Sequence, residues 1–300
     1  MLIRIGYDIA LNLQAPASMI LMLRVHPSRA GDLVRNECLR VEPAVPIREF
    51  GDSFGNQCAR IAAPAGRVRL WNDAVIADGG EPDPVFPDAV QHTIDELPPE
   101  TLRYLYASRY CEVDRLGNIA WNLFGATPLG WARVQAICSW VHSHIRFDYQ
   151  LARLTRSAYE GYEERVGVCR DFTHLAIAFC RCMNIPARYA TGYLGDIAVP
   201  AVPSPMDFSA WMEVFLGGRW HAFDPRHDAR RVGRILMAVG RDAADVALTT
   251  TFGPNILEKF EVWTDEVASA EESKPDYSSA AEPYANSPET VTRGVALALP

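Results

Sequence analysis

The stretch GVCRDFTHLAIAFC, residues 167–180, sets a single cysteine just after a glycine and just before a run with helical spacing. Phe172, Leu175, Ala176, Phe179, Cys180 and Met183 recur at intervals of three and four, and Cys169 falls three residues ahead of the first. A cysteine so placed stands at a helix start, where unpaired backbone N–H groups and the positive end of the dipole favour a thiolate. The same N–H groups suit the oxyanion of an acyl-transfer intermediate. Gly167 would let a substrate or chain segment approach closely. Asp171 suits a helix N-terminus but opposes a thiolate beside it. The chemistry on offer is attack by sulfur on a carbonyl carbon; the plain alternative is a buried structural cysteine. Cys180, on the apolar stripe, and Cys182, off it, read as structural.

The elements around this cysteine follow from periodicity. Asn184 and Pro186 stop its helix. Upstream, GWARVQAICSWVHSHI sets Trp131, Val134, Ile137, Cys138 and Val141 on one helical face. Downstream, ARYATGYL, AWMEVFL and RWHAFD are rich in aromatic and branched residues and are predicted strands. Helices followed by strands indicate an α+β fold, not an alternating parallel sheet. Residues 1–82 carry short apolar or alternating runs such as MILMLRVHP and RVRLWNDAVIA between turn signals, and are expected to form a β-rich N-terminal domain. DGGEPDPVFPD (78–88) is the expected linker. Residues 83–267 then form the unit that contains Cys169. Residues 268–300 are small, polar and proline-containing, and are expected to be a disordered tail.

Composition excludes some functions and leaves others open. A net charge of −8 argues against nucleic-acid binding, which needs a basic stripe. The first 30 residues lack a signal-peptide pattern, and no run approaches a membrane span. The seven cysteines show no framework spacing, which together with the missing signal favours a reduced, cytoplasmic compartment.

The segment GVCRDFTHLAIAFCRCMNIPARYATGYL, followed by DFSAWMEVFLGGRWHAFDPRHD, resembles the core of the bacterial transglutaminase-like family, within the papain-like cysteine peptidase superfamily. ICSWVHSHIRFDY is similar to the helix that precedes the nucleophile there, and MLRVHPS and FGDSFGN resemble the β-domain that often accompanies it. The likeness runs over roughly residues 1–265. It implies a papain-like fold with a thiol nucleophile at a helix start, and a histidine and an aspartate on adjacent strands. Cys169 matches the nucleophile and Asp224 the aspartate. The family histidine precedes Ala-Trp; here that position is Ser209, before Ala210-Trp211.

Pairing geometry limits which other histidine could fill in. A two-residue turn at Gly217-Gly218 sets Trp211 opposite Asp224, with Ser209 diagonal to Asp224 on the same face. His221 then opposes Val214 and points to the other face; a three-residue loop would reverse both together. His227 follows Pro225, where the strand is expected to end, and its direction stays open. His174 lies about 140° around the helix from Cys169. A serine hydroxyl has no pKa near neutrality and is a poor proton carrier.

His142 and His144 point about 200° apart on a helix and have no zinc-type partners in sequence, so no metal is expected. No cofactor is implied either, and no EF-hand-like loop offers calcium a site. Trp211 is the better cleft candidate of Trp211 and Trp220, both otherwise core residues. Glu213 shares the face of Ser209 and either meets substrate or satisfies a buried partner. Two functions follow. One is a thiol-dependent acyl transferase or hydrolase, peptidase or amidase in type, acting on peptide or protein amides or activated acyl groups. Cys169 would be its nucleophile, and Asp224 would orient a base not identified in the sequence, either a water on Ser209 or His227. The other is a degenerate module that binds or scaffolds peptides.

Overall fold

The alternation in LIRIGYDIALNL becomes a 12-residue strand, β1 (Leu2–Leu13), whose Ile3, Ile5, Tyr7, Ile9, Leu11 and Leu13 all enter one core, as a side-chain period of two requires. The computed structural model describes residues 1–201 and 205–271, together with the backbone of a short strand at Ala296–Leu297. The expected tail lies outside these residues except for 268–271 and that strand.

After β1 come β2 (Ala17–Leu21), β3 (Leu33–Arg35), β4 (Arg40–Glu42), β5 (Arg48–Gly51), β6 (Gln57–Ala63) and β7 (Gly66–Ala77). Helices α1 (Val113–Phe124) and α2 (Trp131–His144) precede a short parallel pair, β8 (Arg146–Phe147) with β9 (Val166–Gly167), that brackets α3 (Ala158–Glu164). Helix α4 (Cys169–Cys182) leads into β10 (Ala187–Tyr193), β11 (Ser209–Leu216), β12 (Arg219–Phe223) and β13 (Ile235–Gly240). The described chain closes with β14 (Thr249–Thr251), β15 (Asn255–Val267) and β16 (Ala296–Leu297).

Two antiparallel sheets make the N-terminal layer, one in the order β15-β1-β7-β3 with β4 also on β7, the other β16-β14-β2-β6-β5. Strand β15 pairs along the whole of β1, from Leu2 opposite Val267 to Leu13 opposite Asn255. The β-layer therefore takes strands from residues 2–77 and also β14 and β15, which the expected unit 83–267 contains. The reason is long-range pairing, which local periodicity cannot show.

The remaining residues form an α+β unit whose antiparallel sheet runs β12-β11-β10-β13. Ala187, Tyr189, Ala210, Met212 and Val214 face the helices, and α4 sits among α1, α2, α3 and this sheet with nearly every side chain buried. The other face carries Ala190, Trp211 and Val239. Tyr193, Phe208, Ile235 and Met237 pack into the β-layer core, which is separate from the core around α4. Asn56, fully buried, clips them together: its amide donates to the Val239 carbonyl and accepts from the Val239 N–H, both at 2.8 Å. The segment expected as a linker is coil at 78–93 and is pinned where Asp83 accepts from Arg234 at 2.9 Å.

Candidate active site

Cys169 is the first residue of α4. The preceding turn is held by Asp171, whose Oδ2 accepts from the Val168 N–H at 2.9 Å and from Arg156 at 3.0 Å. Arg170 also approaches Asp171, at 3.6 Å, so this carboxylate is offset by two cations. Gly167 is required here: a Cβ on it would lie 2.6 Å from Asp171 Cβ and 2.7 Å from Oδ2. Of the two close approaches that Gly167 would permit, the chain's own is present: Asp171 fills the space, and Gly167 offers a substrate no opening there.

Strand β12 ends at Phe223, opposite Met212, so Ala210 lies beyond that ladder. Its backbone N–H favours the anionic form of the Cys169 sulfur. Burial outweighs it. Desolvation, followed by the charge of Asp207 and then those of Asp171 and Asp224, pushes the Cys169 thiol up to about 12. The residue keeps partial solvent access. Its resting form at neutral pH is nonetheless the thiol, so the expectation of an anion-stabilised sulfur is corrected: dipole and N–H donors are overcome by packing and by nearby carboxylates.

The hairpin follows the expected register. Gly217 and Gly218 have φ of 55° and 82°, as a two-residue turn with both residues in the left-handed region needs. Val214 opposes His221 and Met212 opposes Phe223, which carries Asp224 onto the face of Trp211. His221 sits on the helix side against Phe86 and Trp131, with Nε2 3.1 Å from the Leu216 carbonyl. His174 is fully buried, stacked on Tyr110, and its Nε2 accepts from the Ala243 N–H. Neither is near the roles of a proton carrier at Asp224.

Asp224 is buried and fully engaged. Oδ1 accepts from the backbone N–H of Arg226 and His227 at 3.1 and 3.0 Å; Oδ2 lies 3.0 Å from His227 Nδ1 and accepts from Arg234 at 3.1 Å. Burial raises its pKa, but His227 and Arg234 more than reverse this and hold the carboxyl well below the usual range. The same turn lays the Arg226 guanidinium 3.7 Å from the Phe147 ring centroid and 6.0 Å from that of Phe172, one turn into α4. His227 is thus the histidine paired with Asp224. Asp224-Pro225 is a turn signal, and a carboxylate that caps the N–H groups two and three residues on draws His227 back toward itself.

Ser209 begins β11 opposite Gly192, and Thr191 donates to its carbonyl at 3.1 Å. By strand alternation it shares the face of Trp211 and Glu213. Trp211 is only 1% exposed, with the Arg234 guanidinium 4.7 Å from its ring centroid. It is core, the first of the two roles weighed for it, and not the cleft residue that was the alternative. Glu213 is satisfied by Arg188 at 2.7 Å. His142 Nδ1 lies 3.0 Å from the Arg226 carbonyl, and His144 stacks on Trp140 and Tyr162. Among the described residues no group of three or more His, Cys, Asp or Glu could hold a metal ion. A cavity of about 170 Å³ opens beside Asp224, Asp228, Trp131 and Gln135, and Cys169 is not part of its wall. Two residues near the thiol were missed in the sequence: Asp207, the strongest charge on it, and Tyr189, a buried β10 tyrosine on which the thiol acts in turn.

A thiol at a helix start packed on an antiparallel sheet, with an aspartate at the end of the neighbouring strand, defines a papain-like cysteine-type core. Residues 120–225 match the transglutaminase-like superfamily, and the chain carries a transglutaminase-like domain spanning Cys169, Ser209 and Asp224. The crystal structure of a candidate cysteine protease from Cytophaga hutchinsonii superposes with a TM-score of 0.75 at 28% identity, covering 92% of this chain and 93% of that one. An uncharacterized protein of Mycobacterium leprae is 32% identical over 117 residues, 38% of this chain and 42% of its own length. One of Mycobacterium tuberculosis H37Rv is 37% identical over 91 residues, 27% and 29% respectively. The chain spans less than half the length of these mycobacterial relatives.

Proposed function

We propose that the protein is a cysteine-nucleophile acyl transferase or hydrolase, peptidase or amidase in type, acting on peptide or protein amides or on activated acyl groups. The observation that carries this reading is the place of Cys169 at the start of α4, inside the matched transglutaminase-like domain that also holds Asp224. Sulfur would attack the acyl carbon, with the Cys169 N–H as one oxyanion donor. Because the resting thiol is protonated, attack needs a base at the moment of reaction, and a thioester should react more readily than an amide, whose departing amine needs a proton. A reducing, cytoplasmic setting belongs to this reading and is supported by seven unpaired cysteines.

A second reading is favoured by the raised thiol and by Ser209: a degenerate module that binds peptides without turning them over. One experiment separates the two. Turnover of a thioester and of a peptide amide is measured for wild type, Cys169→Ala and Ser209→His. Thioester turnover by wild type that disappears in Cys169→Ala supports the enzyme. Activity that appears only in Ser209→His supports the degenerate module and overturns the first reading.

A further inference from the structure

We propose that Arg226 forms a carboxylate-binding subsite beside Cys169 and selects acyl substrates that carry a carboxylate close to the reacting carbonyl; the subsite rests on the reading of Cys169 as a nucleophile. The main chain of Arg226 is fixed on both sides. Its N–H donates to Asp224 Oδ1 at 3.1 Å, and its carbonyl lies 3.0 Å from His142 Nδ1. The side chain reaches from this turn to the segments that flank the nucleophile. Its guanidinium carbon stands 3.7 Å from the centroid of the Phe147 ring and 6.0 Å from that of Phe172. Phe147 pairs with Gly167 in the β8–β9 ladder, two residues before Cys169, and the Asp148 N–H donates to the Gly167 carbonyl at 3.0 Å. Phe172 follows Cys169 by three residues and is its neighbour on the same helix face.

What sets Arg226 apart is an unused guanidinium. Among the described residues, every other arginine that is buried or half-buried holds at least one oxygen through its guanidinium. Arg226 is half-buried and, among the described residues, holds none; its guanidinium meets aromatic rings instead. The carboxylates nearest to it in the chain and in the β8 turn are already engaged. Asp224 is held by His227 and Arg234, Asp228 by Gln135 at 2.8 Å, and Asp148 by Arg146 at 2.8 Å.

A guanidinium is permanently charged and carries five N–H donors in a planar fork that matches a carboxylate. Contact with the face of a ring holds the cation in place and consumes none of those donors. A fork so held, partly out of water and without an anion, is ready for a carboxylate that arrives with the substrate, because a bidentate charged contact is far stronger than a neutral one. The same chemistry has two sources: an acidic side chain on the acyl portion, or the free chain end on the leaving portion. A cation that merely rests on Phe147 would give no preference for either.

The test reads preference ratios in wild type, Arg226→Gln and Arg226→Lys, so that changes in folding or in the chemical step cancel within each variant. The first arm measures kcat/KM for two pairs of thioesters. Benzyl thioesters of N-acetylglutamylglycine and N-acetylglutaminylglycine differ by a carboxylate on the acyl side. N-acetylglycine thioesters of mercaptoacetate and mercaptoacetamide differ by one on the leaving side. Wild type should prefer the carboxylate member of one pair by about 10–100-fold. Arg226→Gln should abolish that preference, and Arg226→Lys, which keeps the charge without the fork, should retain part of it. The second arm alkylates the protein with iodoacetate or iodoacetamide and follows Cys169 by peptide mass mapping, with exposed Cys38 as the internal standard. Thiolate displaces iodide from both reagents, so only the carboxylate distinguishes them. Relative to Cys38, Cys169 should favour iodoacetate by about tenfold in wild type and lose this in Arg226→Gln. A carboxylate preference in either thioester pair that Arg226→Gln removes bears the proposal out and identifies the source. Equal rates within both pairs, or a preference that survives Arg226→Gln, overturn it while leaving the nucleophile reading standing. If wild type turns over no thioester, the nucleophile reading fails and substrate selection by Arg226 falls with it. The alkylation ratio then decides the site itself: an iodoacetate preference lost in Arg226→Gln upholds a carboxylate site, and no preference in wild type overturns that as well.

Discussion

Replacing Asp224 by asparagine should cost the fold about 3 kcal/mol at pH 7, near the lower end of what breaking a buried ion pair costs. Asparagine keeps Oδ1 and with it the two backbone bonds from Arg226 and His227. The amide nitrogen would replace Oδ2, facing Arg234 at 3.1 Å with a donor where a donor already points. Arg234 is only 7% exposed and would retain a single carboxylate, Asp83 at 2.9 Å. Residual pairing to Asp83 is why the cost should stay near the bottom of the range. The sign with pH follows from the direction of the shift. The folded-state pKa of Asp224 is held below its unfolded value, so its contribution is complete above the unfolded carboxylate pKa of about 3.9 and is lost as pH falls through the lower, folded value. Urea unfolding at pH 7 and pH 5 should therefore give equal gaps between wild type and Asp224→Asn, and a smaller gap below pH 3.5. A double-mutant cycle with Arg234→Met should return a coupling of about 1–3 kcal/mol. A gap under 0.5 kcal/mol at pH 7 (about the scatter of such measurements), or one that widens in acid, would refute the network as described.

Two further substitutions probe the supports of the thiol. Gly167→Ala drives a Cβ to 2.6 Å from Asp171 and should lower stability by about 1–3 kcal/mol, read by thermal unfolding; an unchanged Tm would mean that the Asp171 cap is not closely packed. Phe208→Ala empties a site filled by Tyr7, Tyr193 and Phe260 and should cost about 3–5 kcal/mol in urea unfolding. A loss under about 1 kcal/mol would contradict the docking of Phe208 among these rings.

Parts of the site were legible in the sequence because they are governed by local rules. The helix beginning at Cys169 follows from spacing, and the Val214–His221 register follows from the Gly217-Gly218 turn. What escaped depends on contacts made at a distance. Strand β15 pairs with β1 across more than 240 residues, and nothing in either segment names its partner. Phe208 reads as an ordinary residue before a strand until its ring docks against Tyr7, Tyr193 and Phe260. The helix end favours an anion at the thiol and Asp171 opposes one, both legible locally; the burial that decides for the protonated form comes from distant segments. Trp211 followed the expected face, but that face is roofed by Arg234, which arrives from the start of β13. His227 was within reach of local reasoning, since the Asp-Pro turn after β12 is a recognisable capping signal.

The most direct test of Cys169 as a nucleophile is a covalent intermediate. Wild-type protein is mixed with a thioester, quenched in acid within the first turnover, and digested for peptide mass mapping. The account predicts one acyl group, on the peptide that contains Cys169, and none on Cys169→Ser. An acyl group found only on exposed Cys38, or turnover that continues in Cys169→Ser, would contradict it.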